Sequence, residues 1–197
     1  PSASVDWIQG NSAKIDNKGG YAFLGHVQGG RSVVQVIDTL RPDEAAANIS
    51  ARERVIKTIE FPGGGTVWDT VTTPDLSSVY VATSYGIGVI DAFTLQPFDV
   101  DLSTAQIDMI AVPGDQRITA LALDPKGQYL YAAGTDRIYM IDINPGSSNY
   151  HKVLTDAAHV VSGFAPTGSS ARIIGLAGNA DGTRLFATVP GTELFGP

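Results

Sequence analysis

Short apolar runs punctuated by turn residues fill this chain, and one such run recurs four times. The copies are Tyr21-Ala22-Phe23-Leu24, Val79-Tyr80-Val81-Ala82-Thr83, Tyr129-Leu130-Tyr131-Ala132-Ala133 and Arg184-Leu185-Phe186-Ala187-Thr188. Each follows a turn, at Lys18-Gly19-Gly20, Ser77-Ser78, Lys126-Gly127 or Asp181-Gly182. The first three lead into a second apolar run that ends in aspartate: Val36-Ile37-Asp38, Val89-Ile90-Asp91 and Ile141-Asp142. The fourth copy has no such second run before Pro197. Repetition on this scale is the mark of stacked supersecondary units.

The third copy shows the strand plan. Ile118 to Asp124 reads as a first strand, Tyr129 to Ala133 as a second and Ile138 to Ile143 as a third. Pro125-Lys126-Gly127, Gly134-Thr135-Asp136 and Asn144-Pro145-Gly146 turn the chain between and after them. Val153-Leu154 supplies a short outer strand. Runs bounded by Gly, Pro, Asn and Asp are the hairpin pattern. The strands are nearly all apolar and not cleanly alternating, as expected when both faces of a sheet are covered.

Aligning the turns at Gly19, Ser77, Gly127 and Gly182 gives spacings of 58, 50 and 55 residues. That suits a four-stranded propeller blade better than a helical repeat. The alignment places Phe23, Val81, Tyr131 and Phe186 in one column, and Leu24, Ala82, Ala132 and Ala187 in the next. Gly25, Thr83, Ala133 and Thr188 follow. The expected fold is all-β: blades of four antiparallel strands, about three and a half of them, forming one incomplete ring over residues 1–197. The blades fall near 11–62, 63–115, 116–170 and 171–197, the last incomplete, and 1–10 reads as the outer strand of a preceding blade through Val5-Asp6-Trp7-Ile8.

Val79-Tyr80-Val81-Ala82-Thr83 followed by Gly88-Val89-Ile90-Asp91 resembles the YVTN type of β-propeller repeat. Val34-Gln35-Val36-Ile37-Asp38-Thr39 matches the second half of that repeat, and Val55-Ile56-Lys57-Thr58-Ile59 resembles its outer strand. The resemblance runs from about Asn11 to the end. The Asn of Tyr-Val-Thr-Asn is missing here and the loops are longer. Relatives of this repeat include bacterial and archaeal surface-layer proteins, lactonase-like proteins and quinoprotein-dehydrogenase-like domains. The resemblance therefore implies a propeller and leaves activity open.

Charge and composition narrow the partners. The chain has 197 residues with a net charge of -7, and its 13 Lys and Arg are scattered. A nucleic-acid groove needs a basic stripe, so nucleic acid is not an expected partner. An anionic membrane surface is disfavoured for the same reason, and no apolar run approaches the ~18 residues of a membrane helix. There are no cysteines, so disulfides and thiolate metal sites are excluded. The chain starts at Pro1, which with the half-length fourth repeat suggests a piece of a longer parent. Either the parent or a second copy would then cover the open edges.

Candidate chemistry is thin, and no catalytic, cofactor-binding or metal residue is assigned. Asp99, Asp101 and Asp108 have the look of a calcium loop, but Thr104 stands where that loop needs Gly and Ile110 where it needs Glu, so a solvated loop is expected. The column Asp38, Asp91 and Asp142 reads as strand-end acceptors for backbone N–H groups. His26, His151 and His159 lack a short metal spacing, and His26 reads as a polar loop residue just past a strand. Gly63-Gly64-Gly65-Thr66 lacks the lysine of a phosphate loop and reads as a turn between blades. Ser169-Ser170 is not in a nucleophile elbow. Trp7 and Trp68 would stack on sugars if exposed, though packing is the usual fate of such rings. Residues 41–54, from Arg41-Pro42-Asp43 to Arg54, read as a short rim helix, with Asn48-Ile49-Ser50 inside it a chance sequon.

The expected function is a non-catalytic propeller segment of a larger bacterial secreted or cell-surface protein, extracellular or periplasmic. It would serve as a scaffold or as a protein or glycan interaction module. A fragment of a lactonase-like or quinoprotein-like enzyme is the first alternative, and an intracellular propeller scaffold the second. Cofactors are not expected.

Overall fold

The computed structural model describes residues 12–15, 20–39, 55–114, 117–156, 158–162 and 172–189. The expected 41–54 helix, Trp7, the 5–8 strand and Ser169-Ser170 lie outside the described residues. Within them every regular element is a strand.

Four antiparallel sheets follow one another along the chain. The first has the order β1 (Ser12–Ile15), β2 (Tyr21–Gln28), β3 (Arg31–Asp38) and β4 (Val55–Phe61). The second runs β5 (Val67–Thr72), β6 (Ser78–Thr83), β7 (Gly86–Asp91) and β8 (Gln96–Pro97). The third runs β9 (Ala120–Leu123), β10 (Tyr129–Ala133), β11 (Arg137–Asp142) and β12 (Lys152–Leu154). A further strand, β13 (Val160–Ser162), also pairs with β11. The last sheet pairs β14 (Gly175–Gly178) with β15 (Leu185–Thr188). Sequential hairpin pairing of this kind follows from the turn residues between short apolar runs.

The first strands of successive sheets pack on one another: β1 against β5, β5 against β9, and β9 against β14. They form the inner edge of the array, and later strands radiate outward. The core therefore lies between sheets. Phe23, Val34, Val36, Ile59 and Phe61 of the first sheet join Val67, Val79, Val81 and Ile90 of the second. Tyr80, Ala82, Ile87 and Val89 join Leu121, Leu130, Ala132 and Ile141 of the third. Ala120, Ala133 and Ile138 meet Ile173, with Leu176, Leu185 and Ala187 packed beside them. Burial of both faces of the second and third sheets explains their weak alternation.

The ladders correct one alignment. Phe23 pairs with Val36, Tyr80 with Val89, and Tyr131 with Met140, each two rungs in from the strand-end aspartate. Tyr80, not Val81, is thus the equivalent of Phe23 and Tyr131. The turns agree. Leu76 has φ 62°, matching Gly127 at 66° and Gly182 at 72°. The second copy carries Leu, not Gly, at this left-handed position, so the turn residue that should anchor the alignment is disguised. A slip of one residue in a strand exchanges its two faces, and here it would have turned Val81 toward the third sheet and Tyr80 toward the first, the reverse of what is seen.

Two members of the aspartate column, Asp91 and Asp142, act as strand-end acceptors as expected. Asp91 Oδ1 accepts from the amides of Phe93 and Thr94 at 2.9 Å each. Asp142 Oδ1 accepts from the Asn144 amide and Oδ2 from the Ser147 hydroxyl. In the 99–108 loop Asp99 Oδ1 accepts from the amides of Asp101 and Asp108, and Asp101 Oδ1 from Ser103. Those carboxylates shape their own loop. The Gly63–Gly65 segment links β4 to β5, where the Ser32 hydroxyl donates to the carbonyls of Gly64 and Gly65.

Candidate functional site

Two side-chain clusters bridge neighbouring sheets. The first lies at the inner edge and centres on Trp68. The β5–β6 register shifts between Val67 and Asp69, so Trp68 is the extra residue of a bulge. A bulge bends a strand and re-aims the unpaired side chain. The half-buried indole directs Nε1–H to Ser84 Oγ at 3.3 Å and packs against the core between the second and third sheets. The Arg117 guanidinium carbon lies 5.7 Å from the ring centroid, and that of Arg172 lies 5.0 Å from it.

The two arginines hold equivalent places. Each stands three residues before an inner strand, Arg117 before β9 and Arg172 before β14. Arg117-Ile118 precedes Thr119-Ala120-Leu121-Ala122, and Arg172-Ile173 precedes Ile174-Gly175-Leu176-Ala177. Ile118 and Ile173, each fully buried, anchor the two arginines. The Thr119 hydroxyl donates to the Ile173 carbonyl at 2.5 Å and ties the two strand starts together. Three successive sheets thus converge on one indole.

Neighbouring Asp69 reaches the third sheet. Its Oδ2 accepts from the Leu121 amide at 2.9 Å and its Oδ1 from its neighbour Thr70 at 2.8 Å. The first bond satisfies a donor on the inner edge of β9, which among the described residues pairs only with β10 on its other side. Among the described residues neither Arg117 nor Arg172 forms an ion pair. Two cations over one ring gain from its quadrupole but repel each other.

The second cluster lies farther out, between the second and third sheets. Tyr80 OH is 3.0 Å from His151 Nε2. The His151 ring stacks on Tyr150 with centroids 3.7 Å apart and meets Phe98 edge-on at 5.2 Å. Burial holds the His151 imidazole down at about 4, from an ordinary 6.5. Burial, then the nearby Tyr150, raises the Tyr80 hydroxyl far above its usual range. A neutral, buried imidazole held among aromatic rings serves here as a packing element. A cleft of about 220 Å³ separates the third and fourth sheets, with Tyr131, Tyr139, His159 and Arg184 in its wall. His159 Nδ1 lies 2.5 Å from Asp156 Oδ1 there.

Sequence reasoning singled out Trp68 but neither arginine. The shared phrase Arg-Ile-x-x-Leu-Ala in the third and fourth repeats is the signal that finds them. His26 is a correction: it lies within β2, paired with Val33, and not in a loop beyond a strand. Its Nδ1 is buried with no hydrogen-bond partner among the described residues.

No family model and no characterised protein sequence matches the chain. Among solved structures it is similar to hydrazine synthase from Kuenenia stuttgartiensis, a protein containing a β-propeller. That likeness has a TM-score of 0.58 at 18% identity. The fold is that of β-propeller blades. The match covers 92% of this chain and 58% of the other, so this chain spans little more than half its length. Likeness at this level of identity speaks for architecture alone. No helix among the described residues is long and apolar enough to cross a membrane.

Proposed function

We propose that the chain is a non-catalytic propeller segment of a larger bacterial secreted or cell-surface protein, serving as a scaffold or as a protein or glycan interaction module. The YVTN-type repeat supports this reading through the surface proteins that carry it. One structural observation carries it further. The equivalent aromatics Phe23 and Tyr80 are each 1% exposed, Tyr131 is half-buried and Phe186 is 57% exposed. Each of the first three is covered by the next blade. Phe186, with Ile174 at 56%, presents the same surface uncovered. A further blade of the same repeat, contributed by the parent protein, is the occupant this surface fits. An apolar sheet face left open also promotes self-association.

Light scattering of the 197-residue chain tests this. Concentration-dependent association that Phe186→Glu suppresses is the expected result. A monodisperse monomer, or association indifferent to Phe186, would count against the open-face reading. A second reading, a fragment of a propeller enzyme, draws on the convergence of three sheets at Trp68. Its test is hydrolytic or redox activity of the parent protein that Arg117→Ala abolishes.

A further inference from the structure

We propose that Trp68, Arg117 and Arg172 form a binding site for a compact divalent oxyanion, carried by a phosphoryl group or by a pair of carboxylates. Two guanidinium groups approach one indole from consecutive blades. Neither has a carboxylate partner among the described residues. Asp69, the acid beside Trp68 in sequence, accepts from the amides of Leu121 and Thr70; Asp115, two residues before Arg117, lies outside the described residues.

The physical argument is one of charge and shape. Two cations held on one ring repel, and the ring quadrupole offsets only part of that. An oxyanion between them turns repulsion into two attractions. Guanidinium forks match the planar oxygen edges of phosphoryl and carboxylate groups, and such charge-assisted bonds are about twice as strong as neutral ones. A divalent guest balances both cations; a monovalent one leaves a charge over.

The location suits a site. Trp68 is re-aimed by the bulge between Val67 and Asp69. The arginines are fixed by fully buried isoleucines one residue on, at 118 and 173. Ligand groups gather well where several rigid elements present their ends together. With a net charge of -7 the chain repels anions elsewhere, so this paired cationic spot stands out against its surroundings. The inference does not depend on Phe186 or on the scaffold reading.

The test is calorimetric titration of the 197-residue chain with inorganic phosphate and, separately, with malonate, at constant ionic strength. Fluorescence of a Trp7→Phe variant, in which Trp68 is the remaining indole, gives a second readout. Saturable binding of either probe is expected, with acetate at least ~10-fold weaker. Phosphate alone points to a phosphoryl ligand and malonate alone to a dicarboxylate; both support the site. Arg117→Ala with Arg172→Ala should abolish the response. If that variant fails to fold, Arg117→Lys with Arg172→Lys keeps the charges without the forks and should weaken binding ~10-fold. No saturable binding of either probe overturns the proposal. So does a response that survives unchanged in the lysine variant.

Discussion

The Tyr80 hydroxyl and His151 Nε2 lie 3.0 Å apart although 71 residues separate them in the chain. Tyr80 belongs to the second strand of one blade, and His151 precedes the outer strand of the next. The pair therefore clasps two blades, and Phe98 and Tyr150 close around it.

This clasp should make stability depend on pH. His151 is held at about 4 in the folded chain against an ordinary 6.5, so between those values the unfolded state binds the extra proton. Stability is then complete above about 6.5, falls as pH drops toward 4, and levels off below. The loss is on the order of 3 kcal/mol. Asp91, held below 3.8 first by the Thr94 amide, acts in a separate and lower window. Urea melts at pH 7 and pH 4.5 should show the drop. His151→Asn, chosen because φ is 60° at this position and Asn tolerates that conformation, should flatten it. An unchanged slope would show that other groups govern this range.

Gly88 and Phe61 are a second contact between blades. A Cβ on Gly88 would lie 2.4 Å from Phe61 Cε1, inside the aromatic ring. Phe61 is 2% exposed and packed in the core between the first two sheets. Gly88→Ala should cost about 1–3 kcal/mol by overpacking. Combining it with Phe61→Leu should recover part of that loss, which denaturant melts of both single variants and the double variant would measure as a coupling energy. Strict additivity would mean the ring and the glycine do not share the strain.

Asp69 joins the inner strands of the second and third sheets through the Leu121 amide. Asp69→Ala leaves that donor and the Thr70 amide without this acceptor, at a cost of about 1.5–3 kcal/mol. Asp69→Asn keeps an oxygen acceptor but not the charge, and should cost less. Hydrogen exchange at the Leu121 amide reads the effect directly. Protection there should fall in the alanine variant more than at Tyr80, which lies deeper between the sheets.

Much of the blade was legible because its causes are local. Tyr129 to Ala133 appears as β10 with the same limits, and Val55–Ile59 lies within β4. Apolar runs broken by Pro, Gly and Asp dictate such hairpins whatever lies beyond them. The second copy was harder. Leu76 sits where the other turns have Gly, and Thr73 Oγ1 accepts from the Ser78 amide where Asp124 serves Tyr129. Both substitutions keep the turn and hide its register. The outer strand β13 was missed because Val160-Val161-Ser162 is too short to stand out from its loop.

The inner-edge cluster was illegible for a different reason. Trp68, Arg117 and Arg172 come from three repeats, and no spacing in one repeat foretells their meeting. Two arginines in equivalent places hint at it, but an arginine before a strand usually faces solvent.

By itself the sequence determined the strands, the turns and the aspartates that close them, because hydrogen bonding and side-chain alternation act over a few residues. Only the tertiary structure decided which residue of each repeat faces the next blade, that His151 is buried against Tyr80, and that two guanidinium groups approach one indole. Those outcomes depend on how neighbouring sheets pack. A one-residue difference in register, or a single bulge at Trp68, redirects a side chain from one face to another without altering the local pattern.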